Sequence, residues 1–117
     1  MTTQEAAPIA VPSGQPVTLL ETIWNEPGPA GLTFRFRFLA PEIGFGGSVD
    51  YDTAYADIVA LCESYVLPRL NGTEPAPAQV IVSLSDRPLP FGAADPEATQ
   101  FFEAFSISDG HCIWEAF

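Results

Sequence analysis

The chain has 117 residues, enough for one domain with its own core, and 47% of them are apolar, with nine phenylalanines. Fifteen acids face four arginines and no lysine, so the net charge of −11 reflects missing bases more than surplus acids. The absent lysine excludes Schiff-base chemistry, pyridoxal-phosphate attachment and a P-loop. Without a basic patch, binding to anionic membrane is disfavoured and no nucleic-acid partner is expected.

A single histidine excludes multi-histidine metal sites, and the composition predicts neither a metal nor a cofactor. No apolar run reaches the roughly 20 residues of a membrane span, so membrane insertion is not expected. The opening MTTQEAAPIAVPSGQP has no cationic or apolar signal region. As it stands the chain reads as cytoplasmic, and as periplasmic if a leader has been removed.

Residues 1–16 are small, polar and proline-containing, and read as a flexible arm preceding a single domain over 17–117. PVTLLETIW (16–24) and LTFRFRFLA (32–40) flank the turn formers NEPGPAG, which predicts a β-hairpin. In its second strand Phe34, Phe36 and Phe38 share the core side, and Arg35 and Arg37 point together toward water. Glu21 is placed to face one arginine. The alternative for that pair is an anion-binding patch.

GFGGSVD (44–50) has the layout of a phosphate loop, but it lacks the lysine and carries Asp50 where an anion would sit. It reads as a loop entering a helix over about 50–67, capped by Asp50 and stopped by Pro68 and Asn71-Gly72. Tyr51, Ala54, Ile58, Leu61, Cys62 and Tyr65 form the apolar stripe; Asp52, Asp57 and Glu63 fall on the other side. A calcium loop over 50–61 fails, with Tyr55 where glycine is required and Leu61 where glutamate is.

AQVIVSLS (78–85) reads as a central strand, followed by the proline-containing loop DRPLPFGAADPEA (86–98). Asp109-Gly110 then joins two last strands in a tight hairpin. A type I′ turn there pairs Ile107 with Cys112 and Phe105 with Trp114. Phe101, Phe105, Ile107, Cys112 and Trp114 then share one face. The order ββαβββ predicts an α+β domain, one helix packed on a mostly antiparallel sheet of about five strands.

Cys62 on the helix stripe and Cys112 on the strand face must meet in this arrangement, either as two buried thiols or as a disulfide. His111 and Cys112, adjacent on a strand, point to opposite faces and cannot act as a dyad.

VPSGQPVTL (11–19), RFRFLAP (35–41), SLSDRPLPFG (83–92), PEATQFFEAF (96–105) and CIWEAF (112–117) together resemble a small family of uncharacterised alphaproteobacterial proteins, catalogued as a domain of unknown function. Members sometimes carry the automatic label acetolactate synthase, and many look exported, which suits a Cys62–Cys112 bridge. The residues do not support that label. A thiamine-diphosphate subunit needs an Asp-Gly…Asn motif, and no asparagine follows Asp109-Gly110; the regulatory subunit needs two helices where one is readable.

Two functional readings result. In the first, the chain is a non-enzymatic interaction or accessory module, exported, whose partner is a protein. Phe102, Ile113 and Phe117 on the second face of the last hairpin are its contact surface. In the second, Asp86, Arg87 and His111 form the site of a small enzyme or small-molecule binder. Arg87 fixes a carboxylate there, and His111 or Asp86 moves protons. That reading requires the three side chains to converge.

Overall fold

A computed structural model describes residues 8–28, 31–44, 46–70, 77–90, 92–93 and 95–115, and for 25–28 the backbone alone. Asn71-Gly72 and Phe117 lie outside the described residues.

The strand β2 (Gly31–Leu39) alternates as expected, with Phe34, Phe36 and Phe38 buried on one side. Burial of the three rings contributes on the order of several kcal/mol. β1 (Thr18–Gly28) pairs with it antiparallel and runs further than the turn-forming sequence suggested, through Pro27 to Gly28. Pro27 is tolerated because β1 is an edge strand, where one side of the backbone has no ladder to supply. Two register shifts, between Leu19 and Glu21 and between Ile23 and Glu26, each put an extra residue in β1. Trp24, in the second shift, packs edge-on against Phe34 and Phe36.

The helix α1 (Tyr51–Leu61) begins at Asp50, whose side chain accepts the Thr53 N–H. That bond holds the Asp50 carboxyl below its ordinary range. The apolar stripe is buried through Ala54, Ile58, Leu61 and Cys62. Contrary to the sequence reading, Pro68 does not stop the helix. A π-turn (Cys62–Val66) carries the chain into a last turn, α2 (Leu67–Leu70), with the Leu67 N–H bonded to the Cys62 carbonyl. A widened turn loosens the backbone where proline lacks a donor and crowds the carbonyl four residues back.

β3 (Gln79–Ser85), β4 (Gln100–Ser108) and β5 (His111–Glu115) complete a five-stranded sheet in sequence order. β2 and β3 are parallel, and the other neighbours are antiparallel. The helix is thus the crossover that a parallel pair requires, and it covers the phenylalanine face. Tyr65 meets Phe36 and Phe38 edge-on.

The last hairpin has the expected register, Ile107 opposite Cys112 and Phe105 opposite Trp114. Asp109 (φ 52°) and Gly110 (φ 76°) are both left-handed, as a type I′ turn demands. Phe105, Ile107 and Cys112 join the core, but Trp114 is 50% exposed. β5 is the outermost strand, and the helix reaches it at Cys112 without extending over Trp114.

Cys62 and Cys112 form a disulfide, with Cα atoms 6.3 Å apart. Of the two states open to the thiols, the structure takes the bridge. Closing 50 residues of chain is worth up to about 4 kcal/mol through the unfolded state. Denatured, unreduced protein should titrate with no free thiol, and reduction should lower the melting temperature by more than about 5 °C.

Asp57 departs from the sequence reading most sharply. It lies not on the wet side of the helix but fully buried. Its carboxylate accepts the Ser13 N–H (3.0 Å), the Ser13 hydroxyl (2.5 Å) and the Gln15 amide (2.7 Å). Ile9 and Val11 pack on the core, and the Ile9 N–H bonds the Val17 carbonyl. The end of the N-terminal arm therefore has its own seat on the helix. Hydrogen bonds to a buried charge are worth about 1.5–3 kcal/mol each. An Asp57→Ala variant should lose at least about 2 kcal/mol in denaturant unfolding, and deleting residues 1–16 should cost as much. A deletion without effect would return these residues to the status of a flexible arm.

Candidate functional site

The face of the sheet opposite the helix holds most of the candidate residues. Across four strands one row runs Glu21, Arg37, Ser83, Phe102, each paired with the next. Arg35 lies one row away on β2, between Ile23 and Ile81; Gln100 lies one row away on β4, opposite Ser85.

Arg37 is the clearest correction. The sequence placed it in water, yet it is 8% exposed. Its Nη1 donates to the Glu21 carboxylate, the anticipated cross-strand partner, and its Nη2 donates to the Leu89 carbonyl at 2.7 Å. The cover is the loop after β3, which folds back over the sheet. Nothing in the alternation of β2 could reveal it, because alternation states which side a residue faces and not what lies there. Arg35 is half-buried beside it.

A cavity of about 230 Å³ opens between that loop and the strands, lined by Arg35, Arg37, Ser83, Gln100, Phe102 and loop residues including Pro90. Two of the chain's four cationic residues converge on it.

Asp86 and Arg87 hold the loop itself. The Asp86 side chain is buried and accepts the Thr99 N–H (3.1 Å) and Arg87 Nε (3.3 Å). Arg87 Nη2 also donates to the Glu97 carbonyl (3.1 Å), and Asp95 lies 3.6 Å from its Nη1. The Asp86 hydrogen bond raises the Arg87 pKa further above its usual value. Asp86 presses so closely on Gly44 that a Cβ there would collide with its carboxylate. These contacts tie the two ends of the 86–99 loop together, as the prolines and the Asp-Arg pair foreshadowed.

His111 stands at the other end of the sheet. Ser85 and Gln100 pair at one end and Ser108 and His111 at the other, so His111 does not meet Asp86, Arg87 or Ser85. Its side chain is 71% exposed, 3.6 Å from Glu63. Glu63 also accepts the Cys112 N–H at 2.8 Å. Helical spacing, which puts Glu63 on the polar side, carries no sign of that second use.

On the last two strands Phe102 (53%), Ile113 (46%) and Trp114 are exposed. Phe102 and Ile113 share the outer face, as the alternation required. On the helix side Glu103 accepts the Trp114 indole N–H (2.7 Å) and the Tyr51 hydroxyl. The latter bond pushes the Tyr51 pKa up to about 12.

Among the described residues no three His, Cys, Asp or Glu side chains are grouped to hold a metal ion, and no helix is long and apolar enough to cross a membrane. A family model described as a family of unknown function (DUF6497) matches residues 1–117. Neither the curated proteins nor the solved structures contain a match to the chain.

The two arginines should separate on substitution. Arg35→Gln should leave unfolding nearly unchanged, since Arg35 is only half-buried and charged side chains with that much solvent access contribute less than about 1 kcal/mol. Arg37→Gln should cost about 2 kcal/mol or more, because it leaves Glu21 and the Leu89 carbonyl without their donor. Chemical denaturation of the two single variants measures both values.

Proposed function

We propose for this chain, which belongs to the family of unknown function DUF6497, that it is a non-enzymatic interaction module working in an oxidising compartment, with a protein as its partner. The observation that carries the proposal is the set of large apolar side chains that the last two strands leave exposed, Phe102 and Ile113 on the outer face and Trp114 on the helix side. Exposed aromatic and branched side chains on adjoining strands mark interaction surfaces more often than idle ones.

β5 is also an edge strand, and it carries neither proline nor lysine to discourage pairing. In a two-residue hairpin, Ser108 and His111 close the ladder, so the main chain of Cys112 and Trp114 points away from β4. Glu63 covers the Cys112 N–H. Trp114 is left as the place where a partner's backbone and side chains can both engage. Export is supported by the Cys62–Cys112 bridge, since disulfides persist in oxidising compartments and are rare in the cytosol. The enzyme reading loses ground because Asp86 and Arg87 lie at one end of the sheet and His111 at the other.

Site-specific photocrosslinking in the native host tests the surface. A photoreactive residue at Ile113 should give one discrete adduct, and one at Ala56, exposed on the helix, should not. The crosslinked protein, once purified, should bind the unmodified chain and lose at least tenfold in affinity with Ile113→Glu. Equal crosslinking at both positions, or none at Ile113, would reject the proposal.

A further inference from the structure

We propose that the partner docks as an extended segment beside β5 and carries an arginine or lysine that seats on the Trp114 indole next to Glu103. This deepens the reading above and rests on it: there a protein engages the last hairpin, and here the chemistry it presents follows.

Three side chains build the seat. Glu103 accepts the Trp114 indole N–H through Oε1 (2.7 Å) and the Tyr51 hydroxyl through Oε2. One carboxylate thus draws together the polar edges of two rings, one from β5 and one from the start of α1. Both rings are exposed to solvent, and Tyr51 is braced by Phe101, edge-on at 5.1 Å.

That arrangement selects a positive charge. The face of an aromatic ring is its negative side, and a cation above it is attracted, most strongly over tryptophan. Each Glu103 oxygen has a second lone pair, so the carboxylate that holds the rings can also accept from a guanidinium or ammonium. The surroundings have the same sign. Asp52 follows Tyr51, Glu115 follows Trp114, and Glu63 accepts the Cys112 N–H.

Main-chain geometry brings the cation to this place. In the register of the hairpin, the N–H and C=O of Trp114 point away from β4. One residue of an antiparallel segment added to the edge can exchange both bonds with Trp114. Its side chain then lies on the same face as the indole, with Cβ atoms about 5 Å apart. An arginine or lysine there lays its apolar stem along the indole and carries its charge toward Glu103. The next residue of the segment turns to the outer face beside Ile113, which is exposed and suits an apolar side chain. A second copy of this chain does not fit, since its net charge is −11, it has no lysine, and its β5 carries Glu115 and no arginine.

The probe is a capped pentapeptide, Thr-Val-Arg-Val-Thr, titrated into the full chain and followed by amide and indole NMR signals. It should shift the Trp114 indole and the amides of 112–115 saturably, with millimolar affinity or better. β1, the other edge strand, should stay unmoved. Citrulline in place of the arginine keeps the shape and removes the charge, and should weaken binding at least fivefold. Glu103→Gln should weaken the arginine peptide at least threefold and leave the citrulline peptide unchanged. Trp114→Leu should weaken the arginine peptide at least tenfold; should that variant fold poorly, Glu103→Gln decides alone. The inference is overturned if the peptide leaves these signals unmoved, if the citrulline peptide binds as tightly, or if Glu103→Gln has no effect. It is also overturned if raising the chain's own concentration moves the same signals without peptide, which makes a second copy the occupant. The Ile113 crosslink reads the interaction module separately: a discrete adduct there, alongside any of these failures, removes the basic segment and leaves the module standing.

Discussion

Everything in this molecule depends on β2 having two demanding faces. Phenylalanine at every second position must be taken out of water, and the helix that crosses from β2 to β3 covers them. The same alternation forces Arg35 and Arg37 to the opposite side. There the chain does not leave them to solvent. The loop after β3 returns over the sheet, Arg37 meets both Glu21 and a loop carbonyl, and Asp86 with Arg87 tie the loop's two ends. Around β2 the sheet is therefore covered on both sides, by a helix on one and by an irregular loop on the other. A guanidinium under a loop is stable only because each of its partners is present, so loop and strand depend on one another.

The fold was largely legible in the residues. Alternation in LTFRFRFLA, helical spacing from Tyr51 to Tyr65 and the Asp109-Gly110 turn gave element types, order and the register of the last hairpin. The pairing of Glu21 with an arginine and the meeting of Cys62 with Cys112 follow from that register, because period-two geometry fixes which residues stand opposite. The bridge itself was left open, since proximity does not settle oxidation.

What was not legible came from segments without periodicity. The Ser13 and Gln15 contacts hide in a stretch that composition describes as an arm, and they alone explain why Asp57 can sit among Ala54, Ile58 and Leu61. The loop over Arg37 is equally silent in sequence, since prolines announce an extended path and not its destination. Pro68 misled because its effect was absorbed by a wider turn instead of ending the helix. Trp114 faces the side that was foreseen, but it stands past the reach of the helix, a matter of how far one element extends over another. The candidate site was visible as residues and invisible as a place: Arg35 and Arg37 stood out, but Ser83, Gln100 and the loop that completes the cavity did not.

The parallel seam between β2 and β3 has a kinetic side. Every other strand pair in the sheet joins neighbours in the chain, so each can zip locally, while the seam must bring together segments separated by the whole crossover. It is the pairing that forms late and the line along which a partial opening would run. The Cys62–Cys112 bridge keeps the crossover helix with β5, so such an opening would detach the β1–β2 ribbon by itself. Phe34, Phe36 and Phe38 would then meet water together with two newly bare strand edges. Aggregation of this protein should accordingly start inside the sheet, at its third strand, rather than at the outer edge that the native fold displays.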